Sequence, residues 1–157
     1  MTMLLLALAF LALLACSAFF SSAETAYFSI DPIQLRRINE KRPASAERLR
    51  AILANPTRLL STLLIGNTLV NIALSNVGYE IACRWVPAYS ELVAIPAVTL
   101  LLVFFGEVGP KNIGLFYTSA LVRLYGPGLR FAEKLLGPLR FVLDLVSRRL
   151  APLFRPM

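Results

Sequence analysis

Histidine is absent from the 157 residues, and with it the commonest general base and the commonest transition-metal ligand. Cysteine is nearly absent: Cys16 and Cys83 lie in or beside apolar segments and form no CxxC pair, so neither a disulfide framework nor a zinc site is indicated. Charge is scarce as well. Only 16% of the residues are charged, against roughly 25% in soluble domains, while 57% are hydrophobic and the mean hydropathy is +0.68. These shortages exclude a soluble globular domain. They also argue against an intramembrane enzyme, which needs a nucleophile with a base, a catalytic aspartate pair or a metal cluster.

What is present is a set of long uncharged runs. Residues 2–23, 59–79 and 92–106 carry no charge over 22, 21 and 15 positions. At about 1.5 Å per residue the first two cross a hydrocarbon core of about 30 Å, and the third does so only by taking in Glu107 and the Gly109-Pro110 pair. The fold expected is an all-α integral membrane protein with three transmembrane helices over about 3–29, 57–83 and 90–118 and interfacial helices over about 32–54 and 119–151. The first run lacks the amino-terminal Lys or Arg of a cleaved signal or lipoprotein leader, so it reads as a span.

The net charge of +7 is distributed as a membrane protein requires. Seven basic residues, Arg36, Arg37, Lys41, Arg42, Arg48, Arg50 and Arg58, fall between the first two runs; Arg84 stands alone between the second and third, and eight follow the third. The positive-inside rule then places the amino terminus outside and the carboxyl terminus in the cytoplasm. The basic residues serve topology and lipid headgroups rather than nucleic acid. Asp31-Pro32 reads as a capped helix start for a helix over about 32–40, and a second helix runs over about 45–54 before Asn55-Pro56. In the tail, Gly126-Pro127-Gly128 and Gly137-Pro138 read as breaks between interfacial helices over about 129–136 and 139–150.

The polar residues at membrane depth carry the chemistry. In FFGEVGPKN, residues 104–112, an ionisable side chain sits beside Gly106, Gly109 and Pro110, so a helix break is expected after Glu107. Irregular backbone at that depth is tolerated where it is buried in protein or lines a wet cavity. Asn67, Asn71 and Ser75 repeat at four-residue intervals and form one polar stripe of the second span. Alone, such a stripe is most simply helix glue; beside Glu107 an oxygen-only cation site is the stronger account. By helical rise Asn67 and Asn71 lie about 12 to 18 Å and Glu107 about 22 Å from the starts of their spans, which puts all three in the inner half of the bilayer. Ser21, about 28 Å along the first span, falls somewhat deeper toward the cytoplasm. Ser21 and Glu24 share a helix face, and Glu24 reads equally as a membrane-exit residue.

The order FFSSAET, IGNTLVN and FGEVGPKN resembles the transmembrane domain of the CorC and cyclin M (CNNM) family of magnesium transporters, with Gly-Glu-x-x-Pro-Lys its most specific part. Val108-Gly109 departs from the bulkier residues more usual between Glu and Pro. The resemblance implies three spans plus juxtamembrane helices in a homodimer, export of Mg²⁺ coupled to Na⁺ entry, and an inner (plasma) membrane location. It also implies an ion site from Ser21, Asn67, Asn71 and Glu107, with Gly109 and nearby backbone oxygens as further contributors. Family members continue into a cytoplasmic nucleotide-binding regulatory domain, which this chain is expected to lack. The rival reading is a non-transporting membrane anchor or assembly module for such a domain.

Overall fold

The computed structural model describes residues 2–150, and every element among them is helical. Residue 151, the last of the expected interfacial belt, lies outside the described residues. In chain order the elements are α1 (Met3–Ser29), α2 (Pro32–Lys41), α3 (Pro43–Leu53), α4 (Pro56–Trp85), a 3₁₀ turn (Pro87–Tyr89), α5 (Ser90–Leu101), a π-helical stretch (Leu102–Val108), α6 (Gly109–Phe116), α7 (Thr118–Leu135) and α8 (Gly137–Leu150). Three helical segments, Met3–Ser29, Pro56–Trp85 and Pro87–Phe116, are long and apolar enough to cross a membrane.

Proline punctuates these helices in the way its chemistry allows. Pro32, Pro43 and Pro56 each occupy a first helical position, where the missing N–H has no intrahelical partner to lose. Asp31 caps α2 by accepting from the Gln34 amide at 2.7 Å. Arg42, kept out of the helical region by the following Pro43, separates α2 from α3, and α3 starts ahead of the expected Ser45.

α1 is the hub. It packs on α4, on the π-helical stretch, on α6 and on α7. Its carboxyl-terminal end belongs to a hydrophobic core formed by Ala23, Ala26 and Tyr27 with Ile38 of α2, Leu49 and Ile52 of α3, Leu59 and Leu63 of α4, and Val122 and Leu129 of α7. The basic helices thus form a packed belt around one end of the three spans. The Tyr27 hydroxyl donates to the Val122 carbonyl at 3.0 Å and ties belt to span.

One expected break does not occur. α7 runs unbroken through Gly126-Pro127-Gly128, although an interior proline costs about 3 kcal/mol. Val122, Leu129 and Ala132 on either side are buried, at about 1.5 kcal/mol or more for each large side chain, which offsets the lost bond. The chain turns instead at Tyr117, before α7.

Candidate functional site: an oxygen cluster between the three spans

The third span changes register where the polar residues sit. Over Leu102–Val108 the backbone is π-helical, and the Gly109 amide bonds the Phe104 carbonyl, five residues back. Pro110 explains the irregularity. With no N–H it supplies neither an α-type bond to the Gly106 carbonyl nor a π-type bond to that of Phe105. The interruption expected after Glu107 therefore takes the form of a widened turn running through it, and the span continues in helical backbone to Phe116. Such π turns recur at functional sites.

Gly106 makes close approach possible. A Cβ there would lie 2.8 Å from Ser17 Oγ and 3.4 Å from Ser17 Cβ, so only glycine lets this backbone reach α1. Gly114 does the same further along the span, where a Cβ would meet the Ser22 carbonyl at 2.8 Å.

Around Ser17, oxygens from all three spans converge. Its hydroxyl lies 2.7 Å from Asn71 Oδ1, 3.4 Å from Asn67 Oδ1 and 3.5 Å from the Gly106 carbonyl oxygen. Asn71 in turn donates from Nδ2 to Glu107 Oε1 at 3.2 Å, bridging α1 to the third span. A hydroxyl carries one proton, so three acceptors share a single donor. Lone pairs are in surplus at a point where Ser17 is fully buried.

Of the residues expected from the sequence, Asn67, Asn71 and Glu107 come together in this cluster. Ser21 lies one turn along α1 from Ser17; it is fully buried, and its hydroxyl has no hydrogen-bond partner in the protein. Gly109 makes its close contact with its own helix, where a Cβ would meet the Phe104 carbonyl at 2.7 Å. Ser75 continues the stripe but turns back to bond the Asn71 carbonyl at 2.9 Å and is exposed. Glu24 pairs with Lys111 at 3.7 Å, with both side chains more than a third exposed.

Ser17 was not among the expected site residues. Inside an uncharged run, a single hydroxyl reads as one that bonds back to its own helix. The signal that points to it is depth: by helical rise Ser21 falls beyond the level of the asparagines, and a residue four positions earlier sits about 6 Å closer to them.

The sequence profile of the cyclin M transmembrane N-terminal domain matches residues 8–156. The chain belongs to the cyclin M transmembrane-domain family. It is 32% identical over 134 residues to the UPF0053 inner membrane protein YfjD of Escherichia coli, covering 85% of this chain and 31% of that protein. A UPF0053 protein of Haemophilus influenzae is 28% identical over 144 residues, 90% of this chain and 34% of that protein. A DUF21 domain-containing chloroplastic protein of Arabidopsis thaliana is 29% identical over 135 residues, 86% and 20% respectively. The chain thus spans about a third or less of the length of these relatives.

For a cyclin M membrane domain the chemistry of the cluster is specific in what it offers. Ser17, Ser21, Asn67, Asn71, the Gly106 carbonyl and Glu107 could supply oxygen ligands only. Among the described residues no group of three or more His, Cys, Asp and Glu is placed to hold a metal ion. A cation here would have one carboxylate and otherwise neutral oxygens, a set suited to a hard ion rather than to zinc or copper.

Proposed function

We propose that this membrane domain carries Mg²⁺ across the bilayer, binding it between the three spans through Asn67, Asn71, Glu107, Ser17 and Ser21. One observation carries the reading: three acceptor oxygens converge on a single hydroxyl proton at Ser17, with the unpartnered Ser21 hydroxyl one turn away. A small hard cation satisfies both the surplus lone pairs and the orphaned hydroxyl. Mg²⁺ takes about six oxygens and gives up water reluctantly, so a site with one carboxylate binds it modestly and releases it, as transport requires.

The family resemblance adds direction and coupling: export of Mg²⁺ driven by Na⁺ entry, in the inner membrane, with the amino terminus outside and the basic belt in the cytoplasm. A homodimer fits the same picture. Thr68, Ser75, Asn76 and Thr99 line an open groove of about 500 Å³ beside Asn71. Polar groups midway along two spans are costly against lipid, and a second copy of these spans covers them. Opening to the far side would pivot at the π turn, where the missing Pro110 bonds leave the backbone least constrained.

The test is flux. Protein in liposomes loaded with a Mg²⁺ indicator, given an imposed Na⁺ gradient, is expected to move Mg²⁺ against its own gradient, and N71A is expected to stop it. Mg²⁺ movement indifferent to N71A, or absent from the parent under every gradient, overturns the proposal in favour of a membrane anchor.

A further inference from the structure

Three arginines from two belt helices line one cleft. Arg48 of α3 and Arg123 and Arg130 of α7 join Ser45 around a cavity of about 320 Å³ whose apolar floor includes Leu49 and Val122. Among the described residues no carboxylate lines it. The ion pairs of the described residues, Arg58 with Glu133, Arg84 with Glu80 and Lys111 with Glu24, lie elsewhere. Arg123 is held in place by its Nε, which donates to the Ser119 carbonyl at 2.9 Å. Three guanidinium charges around one cleft favour an anion there. Their forked donors match phosphate oxygens.

The neighbouring residues indicate which phosphate. Arg123 and Arg130 are seven apart and so lie on one stripe of α7. Leu124 and Phe131, each the next residue, form an adjoining stripe and are 70% and 68% exposed. An amphipathic basic helix with such a stripe lies in the headgroup layer with its apolar face in the acyl region. The arginine row therefore borders lipid at headgroup level rather than open water. We propose that the α3/α7 cleft binds the headgroup phosphate of an anionic phospholipid. Occupancy ties α3 to α7, and α7 is the helix whose Tyr125 hydroxyl lies 3.1 Å from Ser22 of α1, next to Ser21. The bound lipid thus braces the belt against the span that carries the oxygen cluster.

The test is native mass spectrometry of the purified chain in a neutral detergent, titrated with phosphatidylglycerol, phosphatidylcholine or soluble glycerol phosphate. The parent is expected to retain one phosphatidylglycerol in preference to phosphatidylcholine. R123Q/R130Q is expected to bind it about 25-fold more weakly, about fivefold for each arginine. R37Q/K41Q, which removes the same charge from α2, is expected to stay within about twofold of the parent, because it leaves the cleft's three arginines in place. Equal weakening by the α2 variant means diffuse charge and overturns the proposal; so does equal retention of phosphatidylcholine, and so does competition by glycerol phosphate at lipid-like concentrations, which assigns the cleft to a soluble anion. All four residues are exposed, so the variants are expected to melt with the parent, and a parent that retains no phosphatidylglycerol also refutes the assignment.

Discussion

Replacing Glu107 by Gln is the sharpest probe of the oxygen cluster, because it removes a charge while keeping the shape. Glu107 Oε1 accepts from Asn71 Nδ2 at 3.2 Å. A glutamine carbonyl accepts the same bond. The loss is the difference between a charged and a neutral acceptor, about 1 kcal/mol or less. With a divalent cation bound the balance changes, since among the described residues Glu107 supplies the cluster's carboxylate. A charge of +2 facing −1 at about 4 Å, with an effective dielectric of about 20, interacts by about 8 kcal/mol. Most of this is offset by the hydration that ion and carboxylate give up. A net contribution of about 2.8 kcal/mol, in the range of a strong charged hydrogen bond, raises Kd about 100-fold.

Thermal unfolding at a series of Mg²⁺ concentrations reads that number. At a Mg²⁺ concentration of 100 times the parent's Kd, the parent gains about 2.7 kcal/mol and E107Q about 0.4 kcal/mol. For a chain of this size the corresponding shifts in Tm are about 5 to 10 °C and about 1 °C. Without Mg²⁺ the two proteins are expected to melt within a few degrees of each other. If Mg²⁺ raises the Tm of E107Q as it does that of the parent, at the same midpoint, the cation sits elsewhere and the reasoning fails. If E107Q is badly destabilised without Mg²⁺, the carboxylate is a structural partner and not a ligand.

The remaining substitutions separate roles within the cluster. S21A removes a buried hydroxyl that has no protein partner, so the ion-free Tm is expected to hold or rise, by up to about 1 kcal/mol of stability, while Mg²⁺ binding weakens; a clear loss of ion-free stability would mean that this hydroxyl is already satisfied. G106A places a Cβ 2.8 Å from Ser17 Oγ, and calorimetry is expected to find about 1 to 3 kcal/mol lost as the third span is pushed off α1. K111M breaks the half-exposed contact with Glu24 and is expected to cost no more than about 1 kcal/mol, with Mg²⁺ affinity held within a few-fold; a large fall in affinity would bring that pair into the ion site.

Much of this arrangement was legible because a bilayer restricts what a chain can do. Uncharged runs of 21 and 22 residues admit little besides spanning helices, and the asparagine stripe with Glu107 marks a polar cluster in the sequence itself. What escaped was set by tertiary contact. Ser17 is chemically unremarkable until Gly106 brings the third span within 3.5 Å of it. Pro127 reads as a breaker until Val122 and Leu129 are seen buried on either side, holding α7 together across it. Local rules count the bonds a residue loses within its own helix; they do not count what its neighbours gain on another.

The π turn shows why the local irregularity and the chemistry coincide. A regular helix engages each carbonyl in its own ladder and leaves the backbone at most a second, less accessible lone pair to offer a ligand. Pro110 withdraws one N–H from the ladder beside Glu107, and Gly106 lets the affected backbone press against α1. Ser17, placed opposite, lies near the Gly106 carbonyl and the Asn67 amide oxygen but bonds most closely to Asn71. The cluster is thus held by the short bond from Ser17 to Asn71 and the bond from Asn71 to Glu107, with two further oxygens at 3.4 and 3.5 Å competing for the Ser17 hydroxyl proton. Such an arrangement keeps the oxygens together without ion and exchanges its weakest bonds when one arrives. A fully satisfied network would be more stable and would resist an ion. The incompleteness of the hydrogen bonding at Ser17 and Ser21 is therefore the physical basis for reading these residues as a transport site and not as helix glue.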